Sequence, residues 1–449
     1  MKRTGQLDTL IIEHSGPLKG TVQISGAKNA ALPILAACLL TDDESVLEGV
    51  PHVTDVATMC SILQILGMDA AWGDDSTLNV KAQHHHGWTA PYELVSMMRA
   101  SICVLGPLLA RFGRARVSMP GGCVIGPRPI DLHLKGLEAL GAKITIDHGD
   151  IVAQADRLIG TTIHLSGPFG SSVLATANML MAASLAEGAT IIDHAACEPE
   201  VVDLANFLIA MGANITGQGS STIRVEGVVR LHGVRYRIIP DRIEAGTILI
   251  ATAMLGGDVW VHGGVAEHLT ALLDKLTDAN VVIERLIGII HVQSDRKLKA
   301  IEVTTQAFPG FPTDLQAQMM AMMTVSHGVG VVTEKIYPER FMHVPELRRM
   351  GAQITQEGAN AIIKGVERLG GAPVMASDLR ASAALVLAGL VADNQTQLGG
   401  VEHLDRGYEH LERKLSALGA KIHREQATAN GERTVVPVGV VAATSGSHG

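Results

Sequence analysis

Cys123 stands among Pro120, Gly121, Gly122, Gly126, Pro127 and Pro129. A glycine-flanked cysteine is not a packing residue, and Arg116 and Arg128 are cations able to lower its thiol pKa. The reading is a reactive thiol in a loop able to close over a site; a bystander cysteine is the competing one. Lys28 and Asn29 lie in ISGAKNAALPIL, where Gly26 permits a turn and Pro33 is tolerable in the first turn of a helix that begins near Asn29 or Ala30. Free N–H groups and the macrodipole there favour a phosphate or carboxylate, the alternative being an ordinary surface lysine. Asp314 follows the Pro-rich PGFPT; it reads either as the N-cap of the next helix or as a general base in a cleft. Arg99 and Arg380 open buried helices with the same R-A-S phrase, which points first to repeat geometry and second to ligand contact. Arg406 follows Asp405 at a helix start, and Asp131 is placed to cap the helix after the cysteine loop.

These residues need a scaffold, and the chain announces one by repetition. A helix-ending phrase recurs as LQILGMDA, LEALGAKI, FLIAMGANI, LRRMGAQI and LSALGAKI, with a degraded copy, LDKLTDANVVI, that has Asp278 where glycine is usual. Each copy reads as an amphipathic helix, a left-handed glycine and a β-branched strand. Between copies come small-residue helices such as AGTILIATAMLGGDVWVHG, apolar on nearly every face and therefore buried. Six units divide into three plus three. The prediction is an α/β protein of two similar domains: residues 21–238, and residues 1–20 with 239–435. The chain passes between them near Tyr236–Pro240, and residues 436–449 form a disordered tail.

Composition narrows the function. Aromatics are only 3% of the 449 residues and the net charge is -9, which disfavours single-stranded nucleic-acid binding and duplex binding. Five cysteines without a C-x-x-C pair argue against a disulfide framework or structural zinc and suit a reducing cytosol; Cys38, Cys60, Cys103 and Cys197 read as core residues. The run His84, His85, His86 lacks metal-ligand spacing. Dinucleotide, P-loop and G-x-S-x-G motifs are missing. Neither a signal peptide nor a membrane span is expected.

ISGAKNAALPI, MRASICVLGPLLARFG, GGCVIGPRPIDLHLKGLEALGA, FPTDLQAQ, ERFMHVPELRRMGA, DLRASAALVLAG and DRGYEHLERKL together resemble the enolpyruvyl transferase family, on its UDP-N-acetylglucosamine branch, from about Leu10 to Arg424. The resemblance implies an inside-out α/β barrel fold like that of EPSP synthase, with the site between domains. It implies addition of the sugar 3'-hydroxyl to phosphoenolpyruvate, then elimination of phosphate, at the start of peptidoglycan synthesis in the cytoplasm, with no metal or cofactor. Carried over, Cys123 is the proton donor and Asp314 the base, and Lys28, Arg128 and Arg406 hold phosphate and carboxylate, with Asn29 beside them. Arg99, Arg128, Pro129, Ile130, Asp131, Leu132, Ser172, Val173 and Ile336 line the nucleotide-sugar site, together with Asn29 and Asp314.

Leu174 departs from the family, which has glycine after the Ser-Val pair. That keeps open an enolpyruvyl transferase acting on a different nucleotide acceptor. A catalytically silent UDP-sugar binder would not need the intact Cys123, Asp314, Lys28, Arg128 and Arg406. A cysteine hydrolase would need a histidine paired with Cys123, and the nearby candidate is His133.

Overall fold

The computed structural model describes residues 8–83, 87–119, 130–427 and 433–435. Its buried hydrophobic side chains fall into two clusters. One is drawn from Ala27 through Ile238. The other joins Leu10, Ile12, Leu18, Val22 and Ile24 to residues from Ile243 through Ile422. Each cluster encloses apolar helices. Lys28–Ala37, Leu105–Phe112 and Val173–Ala183 fill the first, and Arg242–Leu255, Gln316–Thr324 and Leu379–Val391 fill the second. Nearly every residue of Leu379–Val391 is buried, as expected of a helix apolar all round.

Among the described residues six sheets of four or five strands form the outer layer, and all six share one pattern: a parallel edge strand, then successive antiparallel neighbours; a two-stranded ribbon, Ser166–Gly167 with Gly170–Ser171, stands apart from them. In one, Glu302–Thr304 runs parallel to Val329–Thr333, which pairs antiparallel with Asn360–Lys364, and that with Gln353–Glu357. Alternating burial along Val329–Thr333 matches a sheet with one face on the core. This repeat defines the α/β fold of two similar three-unit domains.

The chain completes its units out of order. Thr9–Glu13 sits between Gln395–Gly399 and Ile422–Ala427, filling the third place in the last sheet. Leu18–Gln23 is the parallel edge of the sheet containing Gly257–His262, whereas Arg235–Arg237 is the parallel edge beside Ser45–Glu48. Residue 21, the expected boundary, lies within the strand Leu18–Gln23. The two connecting segments run side by side: the Ala27 amide donates to the Ile239 carbonyl at 2.7 Å, and Asp241 to Ser25 at 2.8 Å.

The degraded repeat also resolves. Gly419 has φ 103° after the helix Leu411–Ala417, and the equivalent residue after Thr270–Asp278 is Asn280, at φ 72°. Asn is tolerated in the left-handed region, so the glycine position is taken by Asn280 and not by Asp278. Asp278 instead pairs with Lys275.

Candidate active site

Lys28 is the first residue of Lys28–Ala37. Its Nζ lies 3.1 Å from Oδ2 of Asp55, in the first turn of Thr54–Ile65. Arg406 of the second domain places Nε 3.0 Å from Oδ1 of the same carboxylate. One buried carboxylate therefore holds two cations from different domains, and a backbone bond from the Thr54 amide to the Asp405 carbonyl, 2.9 Å, ties the same junction. Arg406 does not start a helix. It lies in the turn after the short helix Val401–Leu404, and this turn lets its side chain reach back to the first domain.

Asp314 forms the second focus. It sits in the 3-10 turn Thr313–Leu315, and its side chain caps nothing. Its Oδ1 accepts from Arg340 Nη1 and its Oδ2 from Arg380 Nη2, both at 2.8 Å. Asn29 Nδ2 approaches Oδ2 at 3.5 Å from the first domain. Burial pushes the Asp314 carboxyl up, but the charges and hydrogen bonds of Arg380 and Arg340 outweigh it and hold it well below the usual carboxylate range. Arg380 is buried with its guanidinium 5.2 Å from the Tyr408 ring centroid, and its Nε and Nη1 find no hydrogen-bond partner among the described residues. The Ile336 and Tyr337 amides both donate to Oε1 of buried Glu334, which also receives Thr305 Oγ1, while Oε2 receives Thr313 Oγ1. Glu334 thus locks the Ile336 loop against the Asp314 turn.

A third group lies within the first domain. Asn178 donates through Nδ2 to the Ile102 carbonyl and to Nδ1 of His133, and its Oδ1 accepts from the Gly106 amide at 2.9 Å. This knot joins the 3-10 helix Arg99–Val104, the helix Asp131–Ala139 and the helix Val173–Ala183. Ser172 caps its helix, accepting from the Ala175 amide. Asp131 is the first helical residue and makes no side-chain cap. Leu174 is partly buried against the first-domain core.

Burial, with Arg99 nearby, pushes the His133 pKa down to about 3. Buried, bonded to Asn178 and lowered in basicity, His133 is a poor base for a cysteine hydrolase. Burial raises Cys38 and Cys103 to about 12 and Cys60 to about 11, so those thiols are inert. Cys197, expected in the core, is partly exposed. Cys123, Arg128, Pro129 and the His84–His86 run lie outside the described residues, as does the expected tail.

Sequence reasoning missed Asp55 and Arg340 and ranked Arg380 low. An acid in a helix's first turn looks like ordinary dipole stabilisation. Arg340 lies within ERFMHVPELRRMGA, but nothing in its spacing ties it to Asp314.

Residues 12–415 match the family model described as EPSP synthase (3-phosphoshikimate 1-carboxyvinyltransferase). A UDP-N-acetylglucosamine 1-carboxyvinyltransferase of Methylacidiphilum infernorum is 54% identical over 418 residues, 93% of this chain and 99% of that protein. One from Myxococcus xanthus is 53% identical over 94% of this chain and 100% of its own length. Among solved structures, the enolpyruvyl transferase NikO from Streptomyces tendae superposes with a TM-score of 0.84 at 25% identity, over 96% of this chain and 100% of that one. EPSP synthase from Acinetobacter baumannii, 18% identical, gives 0.72 over 94% and 100% and shares the fold. Among the described residues no helix is long and apolar enough to cross a membrane.

Proposed function

We propose that this chain, which belongs to the EPSP synthase (3-phosphoshikimate 1-carboxyvinyltransferase) family of transferases, moves the enolpyruvyl group of phosphoenolpyruvate onto the 3'-hydroxyl of UDP-N-acetylglucosamine. The observation that carries this reading is the shared grip of Lys28 and Arg406 on Asp55 across the two domains. Two cations from opposite walls suit a small dianion that bridges the cleft, and the phosphoenolpyruvate phosphate or carboxylate would take over part of the role of Asp55. The boundary we infer puts Ala27–Ile238 in the first domain.

The hydroxyl oxygen adds to C2 while a proton reaches C3, giving a tetrahedral adduct. Loss of a C3 proton and of phosphate then leaves the enolpyruvyl ether. Asp314 takes the hydroxyl proton. Its depressed basicity fits a late transfer, because an alcohol proton becomes strongly acidic only as the oxygen bonds to carbon. Arg340 and Arg380 keep the carboxylate ionised and aimed. Cys123 supplies the proton to C3, supported by its glycine-rich setting beside Arg128 in the sequence. Asn29, Arg99, Arg128–Leu132, Ser172, Val173 and Ile336 hold the nucleotide sugar. No metal or cofactor enters this scheme. The place of action is the cytoplasm, and the product feeds cell-wall synthesis, hence cell shape and division.

Phosphate release from phosphoenolpyruvate should require UDP-N-acetylglucosamine. Release only with another uridine nucleotide or with shikimate 3-phosphate would sink the reading. Leu174→Gly tests the acceptor question directly: with Leu174 packed against the core, the nucleotide-sugar KM should change little.

A further inference from the structure

The outer sheet of the third unit carries a group that the transfer reaction does not use. His164 ends the strand Thr162–His164, and Asp193 ends the parallel neighbour Ala189–Asp193 in direct register with it. His194 follows at φ 56°, a left-handed conformation uncommon for a non-glycine residue. That turn brings the second imidazole back over the first, with ring centroids 4.5 Å apart. Nδ1 of His164 lies 3.2 Å and Nδ1 of His194 3.9 Å from the same atom, Asp193 Oδ2. One ligand atom from each residue falls within 4.8 Å of the others. Donors bound to one tetrahedral ion at about 2.0–2.1 Å stand roughly 3.3–3.5 Å apart, so small side-chain rotations suffice.

We propose that His164, Asp193 and His194 form a surface binding site for a divalent transition-metal ion, zinc being the best match. Two neutral imidazoles and one carboxylate make a borderline donor set that suits zinc, cobalt or nickel better than magnesium or calcium. Two strands fix the backbone beneath the site. The Leu165 amide donates to the Asp193 carbonyl, and the Ala195 amide to Ser221, each at 2.9 Å. Thr222 Oγ1 donates to Asp193 Oδ1 at 3.2 Å, orienting the carboxylate from behind as an outer-shell partner should. Exposure of the three side chains leaves room for a water as the fourth ligand. Sequence spacing hides this group, because the strands set 29 residues between His164 and Asp193.

The test is a zinc titration by calorimetry on chelator-stripped full-length protein, comparing wild type with His164→Ala, Asp193→Asn and His194→Asn. Asn tolerates the backbone at position 194. Any zinc held by the His84–His86 run or by Cys123 is common to all four proteins, so the difference isolates this site. Expected is one binding event in wild type that is lost or weakened at least about ten-fold in His164→Ala and Asp193→Asn. The cobalt form of wild type should gain visible d–d absorption without a thiolate-to-metal band. Melting temperatures measured in chelator should agree among the variants. Equal zinc stoichiometry and affinity in wild type and His164→Ala would overturn the proposal.

Discussion

Arg380 places Nη2 2.8 Å from Oδ2 of Asp314, 66 residues away in sequence, and only 2% of the Arg380 side chain is exposed. Arg380 lies in the inner helix Leu379–Val391, and Asp314 in the turn just before the inner helix Gln316–Thr324. Charge and hydrogen bonding from Arg380, with Arg340, reverse what burial alone would do to the carboxyl. Asp314 therefore stays ionised well into acid. Because its folded pKa is depressed, its stabilising contribution is fully present above the unfolded value of about 3.9 and is lost only as pH falls through the lower folded value.

Arg380→Met should raise the Asp314 pKa toward the ordinary carboxylate range while roughly filling the buried volume. The acid limb of the kcat/KM profile is then expected to move upward relative to wild type, and kcat to fall at least about 100-fold. Stopped-time phosphate assays across pH give both quantities. Superimposable profiles would show that Arg380 does not set the state of Asp314.

Asp55 holds Lys28 and Arg406 together with 4% of its side chain exposed. Truncating one partner of a buried ion pair costs about 3–5 kcal/mol; Asp55→Asn, which keeps the shape and one acceptor, belongs at the lower end. In anion-free buffer its melting temperature should drop by several degrees. Added phosphate should then restore more stability than it adds to wild type, because two cations have lost their internal counter-charge. Equal phosphate effects in both proteins would mean that Lys28 and Arg406 are not the anion seat.

The fold was legible because its signal is redundant. The phrase ending at Gly419 appears in five good copies, and the one flawed copy fails at the level of a single residue, with Asn280 standing in the left-handed position. Sites are written once each. Lys28 could be placed at a helix start from Gly26 and the apolar run behind it. Its partner Asp55 could not, since only the packing of Lys28–Ala37 beside Thr54–Ile65 brings them together. Asp314 was identifiable as a residue, but its local role stayed open, because a cap and a doubly clamped carboxylate look alike in sequence. Local pattern reports the element a residue belongs to. Contacts across domains, such as Asn29 with Asp314, depend on the crossing of two chain segments that no periodicity encodes.

Cys123 carries the covalent prediction. An epoxide mimic of phosphoenolpyruvate, of the fosfomycin type, should add to its sulfur through ring opening, and peptide mass spectrometry should find the adduct there. Cys38, Cys60 and Cys103 are buried and held protonated, which predicts no adduct on them. Cys123→Asp should keep activity, because a carboxylic acid can deliver a proton, while escaping the epoxide. Loss of activity in that variant would make a covalent role of the thiol obligatory; an unmodified Cys123 in inactivated enzyme would place the epoxide's action elsewhere.

Gly26 tests whether the crossing of the two chain segments sets the site. It forms an antiparallel bridge with Pro240, and a Cβ added to it would run into the backbone carbonyl of Gly49. That carbonyl cannot swing aside as a side chain would, because the neighbouring Glu48 carbonyl accepts from the Ile238 amide at 3.0 Å and fixes the segment. Gly26→Ala must therefore displace the crossing itself, at a cost of about 2–3 kcal/mol. Lys28 and Asn29 lie two and three residues on, so the displacement reaches the anion seat and the Asn29 approach to Asp314 together. Misplacing catalytic groups by about 1 Å costs on the order of 100-fold in rate, and kcat should fall by about 10–100-fold even at temperatures where the variant is fully folded. Gly16→Ala is the control: Gly16 is exposed and nothing lies within 4 Å of an added Cβ, so stability and rate should match wild type. Denaturant midpoints and kcat measured on the same preparations separate the two effects. A Gly26→Ala enzyme that is destabilised yet turns over at the wild-type rate would show that the crossing holds the domains together without positioning Lys28.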